Sequence, residues 1–166
     1  SGTPVAVVNL MGRVFMPPCD DPFGVIDASL PRLREKCRII LVDMHAEATS
    51  EKSAMGWHLD GRVTAVVGTH THIQTADERI LPGGTAYITD LGMTGPYDSV
   101  IGIDKGLALR RFLTGMPVRL STAKRDPRLC GVVIEVDEET GRARTIERVQ
   151  IRTPEGTDGG GGAGLH

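Results

Sequence analysis

Residues 63–72 read VTAVVGTHTH, and this stretch, Val63–His72, decides the fold. Its first half is an apolar, β-branched run typical of a buried strand, and its second half is polar. Side chains two residues apart in an extended segment point to the same side, so His70 and His72 are predicted to face one point just past the strand. Thr69 and Thr71 are expected to face the other way. Neutral imidazole is the commonest protein metal ligand, although a lone His-x-His pair fits two surface loop histidines equally well.

A second strand of the same kind lies upstream. Residues 38–45 read RIILVDMH, an apolar run that ends in His45. Parallel neighbouring strands end at the same edge of an α/β sheet, so we expect His45, His70 and His72 to meet around one crevice. Asp43 lies two residues before His45 and is expected to act as a ligand or as the acceptor that fixes an imidazole tautomer. The three histidines together predict a metal site, whereas each alone would suit a packed or surface position.

Length and composition limit the class of protein. The 166 residues are 40% hydrophobic and 24% charged with a net charge of -2, which predicts one globular domain with a sizeable core. The near-neutral charge gives no general reason to bind nucleic acid or an anionic membrane, and no apolar run is long enough to span a bilayer. Three cysteines without a C-x-x-C spacing, Cys19, Cys37 and Cys130, favour free thiols in a cytoplasmic protein.

The remaining elements follow from apolar periodicity and turn residues. We predict an α/β fold with a single domain over 1–151. A disordered tail is predicted over 152–166, because a run such as Gly159–Gly162 cannot bury enough apolar surface to fold. Asp20 or Asp21 is predicted to cap the first helix. The other predicted elements are strands over 5–12, 79–81, 85–90, 119–123, 132–136 and 143–151, and helices over 22–36 and 105–113. Another helix is predicted to start after Thr49 or Ser50 as its N-cap and to run to Leu59, before Asp60 and Gly61.

Two polar loops are predicted to lie near the histidines. Glu47 follows the second strand and is a candidate ligand, a candidate base, or a carboxylate stabilised at a helix N-terminus. Residues 91–99, LGMTGPYDS, contain Thr94 and Gly95, and a glycine-containing loop can bring backbone N–H groups close to an anion. Asp43, Glu47, Thr94 and Gly95 are therefore expected to position the ligands or to contact the substrate.

Three motifs together resemble the YmdB family. This is a family of bacterial calcineurin-like metallophosphoesterases that hydrolyse cyclic nucleotides, 2′,3′-cyclic AMP among them. The resemblance runs from about Val5 to Ile151, and it is the combination of motifs that makes it specific. The motifs are Asp43–Lys52 (DMHAEATSEK), Gly68–His72 (GTHTH) with Thr75–Asp77 (TAD), and Thr89–Pro96 (TDLGMTGP).

The resemblance implies a metallophosphoesterase-like β-sandwich flanked by helices, and a dinuclear iron or manganese centre. On that pattern His45 and His70 would bind one metal ion and His72 the other. The implied substrate is a cyclic nucleotide or another phosphodiester. The implied mechanism has a metal-bound hydroxide attacking phosphorus while a histidine protonates the leaving ribose oxygen.

Other motifs of the family are not in this sequence. They are an early strand-end Asp, a Gly-Glu-Asn that supplies the bridging ligand, and a Gly-Asn-His that supplies a ligand and the proton donor. Two adjacent divalent cations repel, and three imidazoles without a bridging carboxylate hold at most one metal ion well. We therefore expect the C-terminal portion of a phosphoesterase domain, weakly active or inactive by itself, with no assigned proton donor and an exposed sheet edge that favours homo-oligomers.

Two alternatives stay open at this point. Capsule-biosynthesis proteins of the poly-γ-glutamate type also carry a His-x-His after a strand, but they lack the run Ala46–Lys52 found here. The other alternative is a non-catalytic regulatory or interaction module whose histidines bind one structural metal ion or none. Phosphodiesterase activity in the presence of Mn²⁺ or Fe²⁺ would distinguish the enzyme from such a module.

Overall fold

Two β-sheets and three helices make up residues 2–152, the part of the chain that the computed structural model describes. The predicted tail lies outside the described residues, except that Arg152 still belongs to the last strand. The strands are β1 (Val5–Met11), β2 (Ile39–His45), β3 (Ala65–Thr69), β4 (Arg79–Ile80), β5 (Ala86–Ile88), β6 (Gly95–Pro96), β7 (Pro127–Val136) and β8 (Ala143–Arg152), and the helices are α1 (Pro22–Arg34), α2 (Thr49–Leu59) and α3 (Lys105–Thr114).

The larger sheet has the strand order β1-β2-β3-β5-β4. β1, β2, β3 and β5 are parallel, and β4 pairs antiparallel with β5 as the edge strand of a hairpin. The prediction of two neighbouring parallel strands that end at the candidate site is confirmed. His45, the last residue of β2, lies opposite Thr69, the last residue of β3.

Helices α1 and α2 cover one face of this sheet. Ile26 and Leu30 of α1, and Met55 and Leu59 of α2, are buried in one cluster with the alternate side chains of β2. α1 begins where the carboxylate of Asp21 accepts hydrogen bonds from two backbone N–H groups of the first turn, as a capping residue does. The predicted cap is therefore present, and the helix ends two residues earlier than expected.

The smaller sheet, β6-β7-β8, packs over the other face of the larger one. Small side chains allow the close approach, because Ala65, Ala86 and Ala143 form a buried cluster there. The segment 119–123, predicted as a strand, makes only an isolated bridge between Thr122 and Ile103. β7 starts at residue 127 rather than 132 and lengthens the hairpin.

Of the helices within residues 2–152, none is long and apolar enough to cross a membrane.

The β7–β8 turn is fixed to the amino end of the larger sheet by Gly141. This residue has φ +72°, and a Cβ at its position would clash with the carbonyl oxygen of Arg38. The buried hydroxyl of Thr64 donates a hydrogen bond of 2.7 Å to the Gly141 carbonyl. Only glycine meets both requirements, so this contact sets how the two sheets close on each other.

We expect Gly141→Ala to lower the free energy of unfolding by at least about 2 kcal/mol, because it adds a left-handed alanine and a backbone clash. Urea denaturation measures the change. The matched control is Gly131→Ala in β7, where a Cβ would have no atom within 4 Å and φ lies outside the left-handed region. We expect that variant to change the free energy of unfolding by no more than about 0.5 kcal/mol. Equal changes in the two variants would contradict this assignment.

Candidate metal centre

His45 and His70 meet at the carboxyl ends of β2 and β3. Their ring centroids are 4.9 Å apart with an interplanar angle of 86°. The Nε2 atom of His45 lies 3.1 Å from the Nδ1 atom of His70. The two strands therefore bring two of the three predicted ligands into direct contact.

A chain of hydrogen bonds fixes the tautomer of His45. The Thr69 hydroxyl donates to the Asp43 carboxylate at 2.7 Å and lies 3.0 Å from His45 Nδ1. A hydroxyl has one proton, so His45 Nδ1–H must be the donor in the second contact. Asn9 donates to the other Asp43 oxygen at 2.8 Å and holds the carboxylate in place.

A second carboxylate orients His70. Glu47 Oε2 lies 2.8 Å from His70 Nε2, and because a carboxylate only accepts, that nitrogen carries a proton. In the neutral rings, His45 Nε2 and His70 Nδ1 therefore both present lone pairs to the space between them. The space between two such lone pairs suits a cation such as a metal ion.

The pair fits a single metal ion. Metal–imidazole bonds of about 2.0–2.1 Å at a tetrahedral angle place two ligand nitrogens about 3.3 Å apart, close to the 3.1 Å between these atoms. Within residues 2–152, no group of three or more His, Cys, Asp or Glu side chains is arranged as a metal site. The described chain thus offers two converging imidazoles for one ion.

The ring of His72 contacts the loop after β6, at Ile101. His70 and His72 have φ values of 114° and 67°, so the segment is not extended, and the alternation assumed from the sequence is wrong. A shared site for the two rings stays a prediction. The extended geometry also predicted that Thr69 faces away from the histidines, whereas its hydroxyl contacts His45. The Ile101 carbonyl lies 2.9 Å from His72 Nδ1 and can only accept, which leaves an exposed Nε2 lone pair on His72. A ligand role for this nitrogen stays a prediction.

A buried ion pair holds the histidine loop in its unusual conformation. Lys52 Nζ lies 2.8 Å from Asp90 Oδ2, and both side chains are 1% exposed. The same carboxylate accepts from the backbone N–H of Thr71, between the two histidines, at 3.0 Å, and from Gly92 N–H at 2.9 Å. Asp90 therefore joins helix α2, the histidine loop and the loop after β5.

Opposing effects act on the pKa of Asp90. Burial tends to raise it, but the hydrogen bonds from Lys52, Thr71 and Gly92 outweigh burial and lower the pKa below its usual value of 3.8. The stability that a depressed carboxyl pKa provides is complete above the usual value and is lost as pH falls through the folded-state value. We therefore expect the ion pair to hold at neutral pH and to fail only in acid.

The motif Ala46–Lys52 thus has a contact for each of its acidic and basic side chains. Glu47 contacts His70, and Lys52 contacts Asp90. Glu51, which is buried, accepts hydrogen bonds from the backbone of Arg13 at 2.9 and 3.1 Å and so fixes the loop after β1. The predictions from sequence missed Lys52 and Glu51. The signal for Lys52 is its place on the buried stripe of α2, which also contains Met55, Gly56 and Leu59.

Thr94 and Gly95 take part in sheet pairing. Gly95 pairs with Arg128 of β7, and the Thr94 hydroxyl lies 3.4 Å from the Cys130 carbonyl and 3.3 Å from the Cys130 amide nitrogen. The loop touches the histidine segment through its neighbour Met93, whose N–H donates to the His72 carbonyl at 3.1 Å. These contacts do not test the predicted role of Thr94 and Gly95 at the substrate, which stays a prediction.

The family model for YmdB-like proteins matches residues 1–149. This chain belongs to that family. A 2′,3′-cyclic-nucleotide 2′-phosphodiesterase of Bacillus subtilis is 54% identical over 151 residues, which are 91% of this chain and 57% of that protein. A putative phosphatase/phosphodiesterase of Mycoplasma pneumoniae is 40% identical over 150 residues, 89% of this chain and 53% of that protein.

Solved structures agree with the family assignment. A hypothetical protein from Thermus thermophilus superimposes with a TM-score of 0.80 at 47% identity, covering 89% of this chain and 57% of the other. A novel phosphatase from Mycoplasma pneumoniae gives a TM-score of 0.80 at 40% identity, covering 88% and 52%. The resemblance to the YmdB-like family is confirmed, and the capsule-biosynthesis alternative is set aside. The chain spans just over half the length of the curated relatives it matches.

In this YmdB-like protein, we expect Lys52→Met to lower the free energy of unfolding by about 3–5 kcal/mol, because it leaves the Asp90 carboxylate buried without its cation. Chemical denaturation measures the loss. The control is Lys105→Met, which removes an exposed pair with Asp98 and should cost about 1 kcal/mol or less. A Lys52 variant as stable as the Lys105 variant would show that the buried pair does not hold the loop.

Proposed function

We propose that this chain supplies part of a metal-dependent phosphodiesterase centre that acts on 2′,3′-cyclic nucleotides. The observation that supports it most directly is the distance of 3.1 Å between two ring nitrogens, His45 Nε2 and His70 Nδ1. The substrate class rests on the 54% identical relative from Bacillus subtilis, which is named a 2′,3′-cyclic-nucleotide 2′-phosphodiesterase.

The chain's own side chains would prepare the site for a metal ion. A bound divalent metal supplies positive charge that stabilises the charge developing on a phosphoryl oxygen. His45 is held with Nε2 toward the ion by Thr69 and Asp43, and His70 is held by Glu47. His72 offers a separate nitrogen for a second ion. Iron or manganese is the proposed metal, as a pair of ions in the complete enzyme.

The chain alone is proposed to turn over slowly. Two imidazoles 3.1 Å apart would leave the coordination of one ion incomplete, and the Nδ1 atom of His72 is taken up by the Ile101 carbonyl. A non-catalytic metal-binding module is the competing proposal, favoured by the same incomplete ligand set. The two differ in whether metal binding is accompanied by hydrolysis.

Two further features support proposals about location and assembly. The three cysteines are free, which favours a reducing cytoplasm. β1 is an edge strand, and its Val7 side chain is 73% exposed. Exposed apolar edge strands favour pairing with another chain, so we propose self-association, which light scattering would detect.

We expect His45→Ala to weaken Mn²⁺ binding at least about 100-fold and to abolish the slow hydrolysis of 2′,3′-cyclic AMP, because one of two converging ligands is lost. Equilibrium dialysis and nucleotide chromatography measure the two effects. The control is His58→Ala on α2, whose ring contacts Asp27 at 3.0 Å and lies outside the pair. Metal binding that His45→Ala leaves unchanged would contradict the site, and binding without any hydrolysis would favour the regulatory module.

We expect Thr69→Val to weaken metal binding about 10–100-fold, because it removes the hydroxyl that links His45 to Asp43. Titration against a chelator of known affinity measures the loss. The matched control, Thr71→Val, keeps the backbone N–H that Asp90 binds and should leave the affinity within about twofold. Equal affinities for the two variants would show that Thr69 does not position the imidazole.

A further inference from the structure

A cavity lined by four arginines lies at the opposite end of the larger sheet from the histidines. Its volume is about 510 Å³, and Arg34, Arg38, Arg62 and Arg142 all line it. Arg38 comes just before β2, whose last residue is His45. A strand rises about 3.3 Å per residue, so the cavity lies about 20 Å from the candidate metal centre.

Neutral groups of the protein hold two of these guanidinium groups in position. Arg34 Nη2 donates to the Arg62 carbonyl at 2.6 Å, and Arg38 Nη1 donates to the Glu139 carbonyl at 2.7 Å. The stem of Arg142 lies against Gly84, where a Cβ would meet its Cδ at 3.0 Å. Carbonyl contacts orient a guanidinium but leave its charge unbalanced.

Carboxylates neutralise only part of this charge. Arg62 forms an ion pair of 2.6 Å with Asp27. Among residues 2–152, Arg34, Arg38 and Arg142 form no ion pair within 4 Å. The exposed Glu139 is the one acidic residue of the described chain that lines the cavity. Three guanidinium groups therefore face the cavity without a paired carboxylate.

We propose that this cavity binds a small ligand with two linked phosphate groups. Arginine binds phosphate oxygens in bidentate pairs and is preferred where such groups are recognised. Two linked phosphate groups offer enough oxygen atoms to pair with each of the three guanidinium groups that lack a carboxylate partner. The volume is that of an ordinary small-molecule site.

The turn that builds the cavity is the one fixed by Gly141. Its close contact with the Arg38 backbone brings Arg142 to the ends of α1 and β2. The site is thus formed by the closure of the two sheets, and it shares no residue with the histidine cluster. Its ligand would bind whether or not the candidate metal centre is loaded.

Isothermal titration calorimetry with inorganic pyrophosphate tests the proposal, with the full chain and excess EDTA to keep metal ions away. We expect saturable binding at one site per chain. Arg142→Gln and Arg34→Gln should each weaken the affinity at least about tenfold, since each removes one exposed phosphate partner. The matched control is Arg32→Gln, an exposed position on the same helix that lines a different cavity, and its affinity should stay within about twofold.

The variant His45→Ala tests whether this site is independent of the candidate metal centre. We expect that variant to bind pyrophosphate as the unmodified chain does. Three results would show that this site does not exist. They are the absence of saturable binding, an equal loss in Arg32→Gln, which would indicate general charge attraction, or loss of binding in His45→Ala. Orthophosphate at the same concentration should bind at least about tenfold more weakly, and equal binding would overturn the assignment of a diphosphate.

Discussion

The buried ion pair between Lys52 and Asp90 is the interaction on which the candidate site depends. Both side chains are 1% exposed, so the cost of burying each charge is offset only by the opposite charge beside it. Asp90 also accepts the N–H of Thr71, and this fixes a loop in which the flanking histidines have positive φ. Such backbone angles cost free energy in residues other than glycine. The ion pair offsets that cost and keeps the imidazoles at the sheet edge.

The histidines themselves illustrate how outer contacts prepare a metal ligand. Asp43 acts on His45 through the hydroxyl of Thr69, and Glu47 acts on His70 directly. Each contact engages one ring nitrogen, Nδ1 of His45 or Nε2 of His70, and the other nitrogen of each ring lies toward the second ring. Two ring nitrogens in this arrangement suit a shared cation, which is the basis for proposing a divalent metal ion there.

Sequence alone predicted β2, β3 and the meeting of their ends, because apolar β-branched runs that end in polar residues are a local signal. It could not predict the positive φ values of His70 and His72, since these depend on the long-range contact from Asp90 to the loop. The role of Thr69 was missed because it requires the register of β2 against β3. Lys52 could have been found, since it starts the buried stripe of α2. The misplaced strand at 119–123 had apolar residues but, within residues 2–152, only an isolated bridge in place of a partner strand.

The most direct test is ¹⁵N NMR of the histidine side chains during titration with Zn²⁺, a diamagnetic substitute for the proposed metal. Coordination through the facing lone pairs predicts that His45 Nε2 and His70 Nδ1 shift together and saturate at one equivalent, while His45 Nδ1 keeps its proton toward Thr69. Coordination through His45 Nδ1, or a shift in only one of the two rings, would contradict a shared ion at this site.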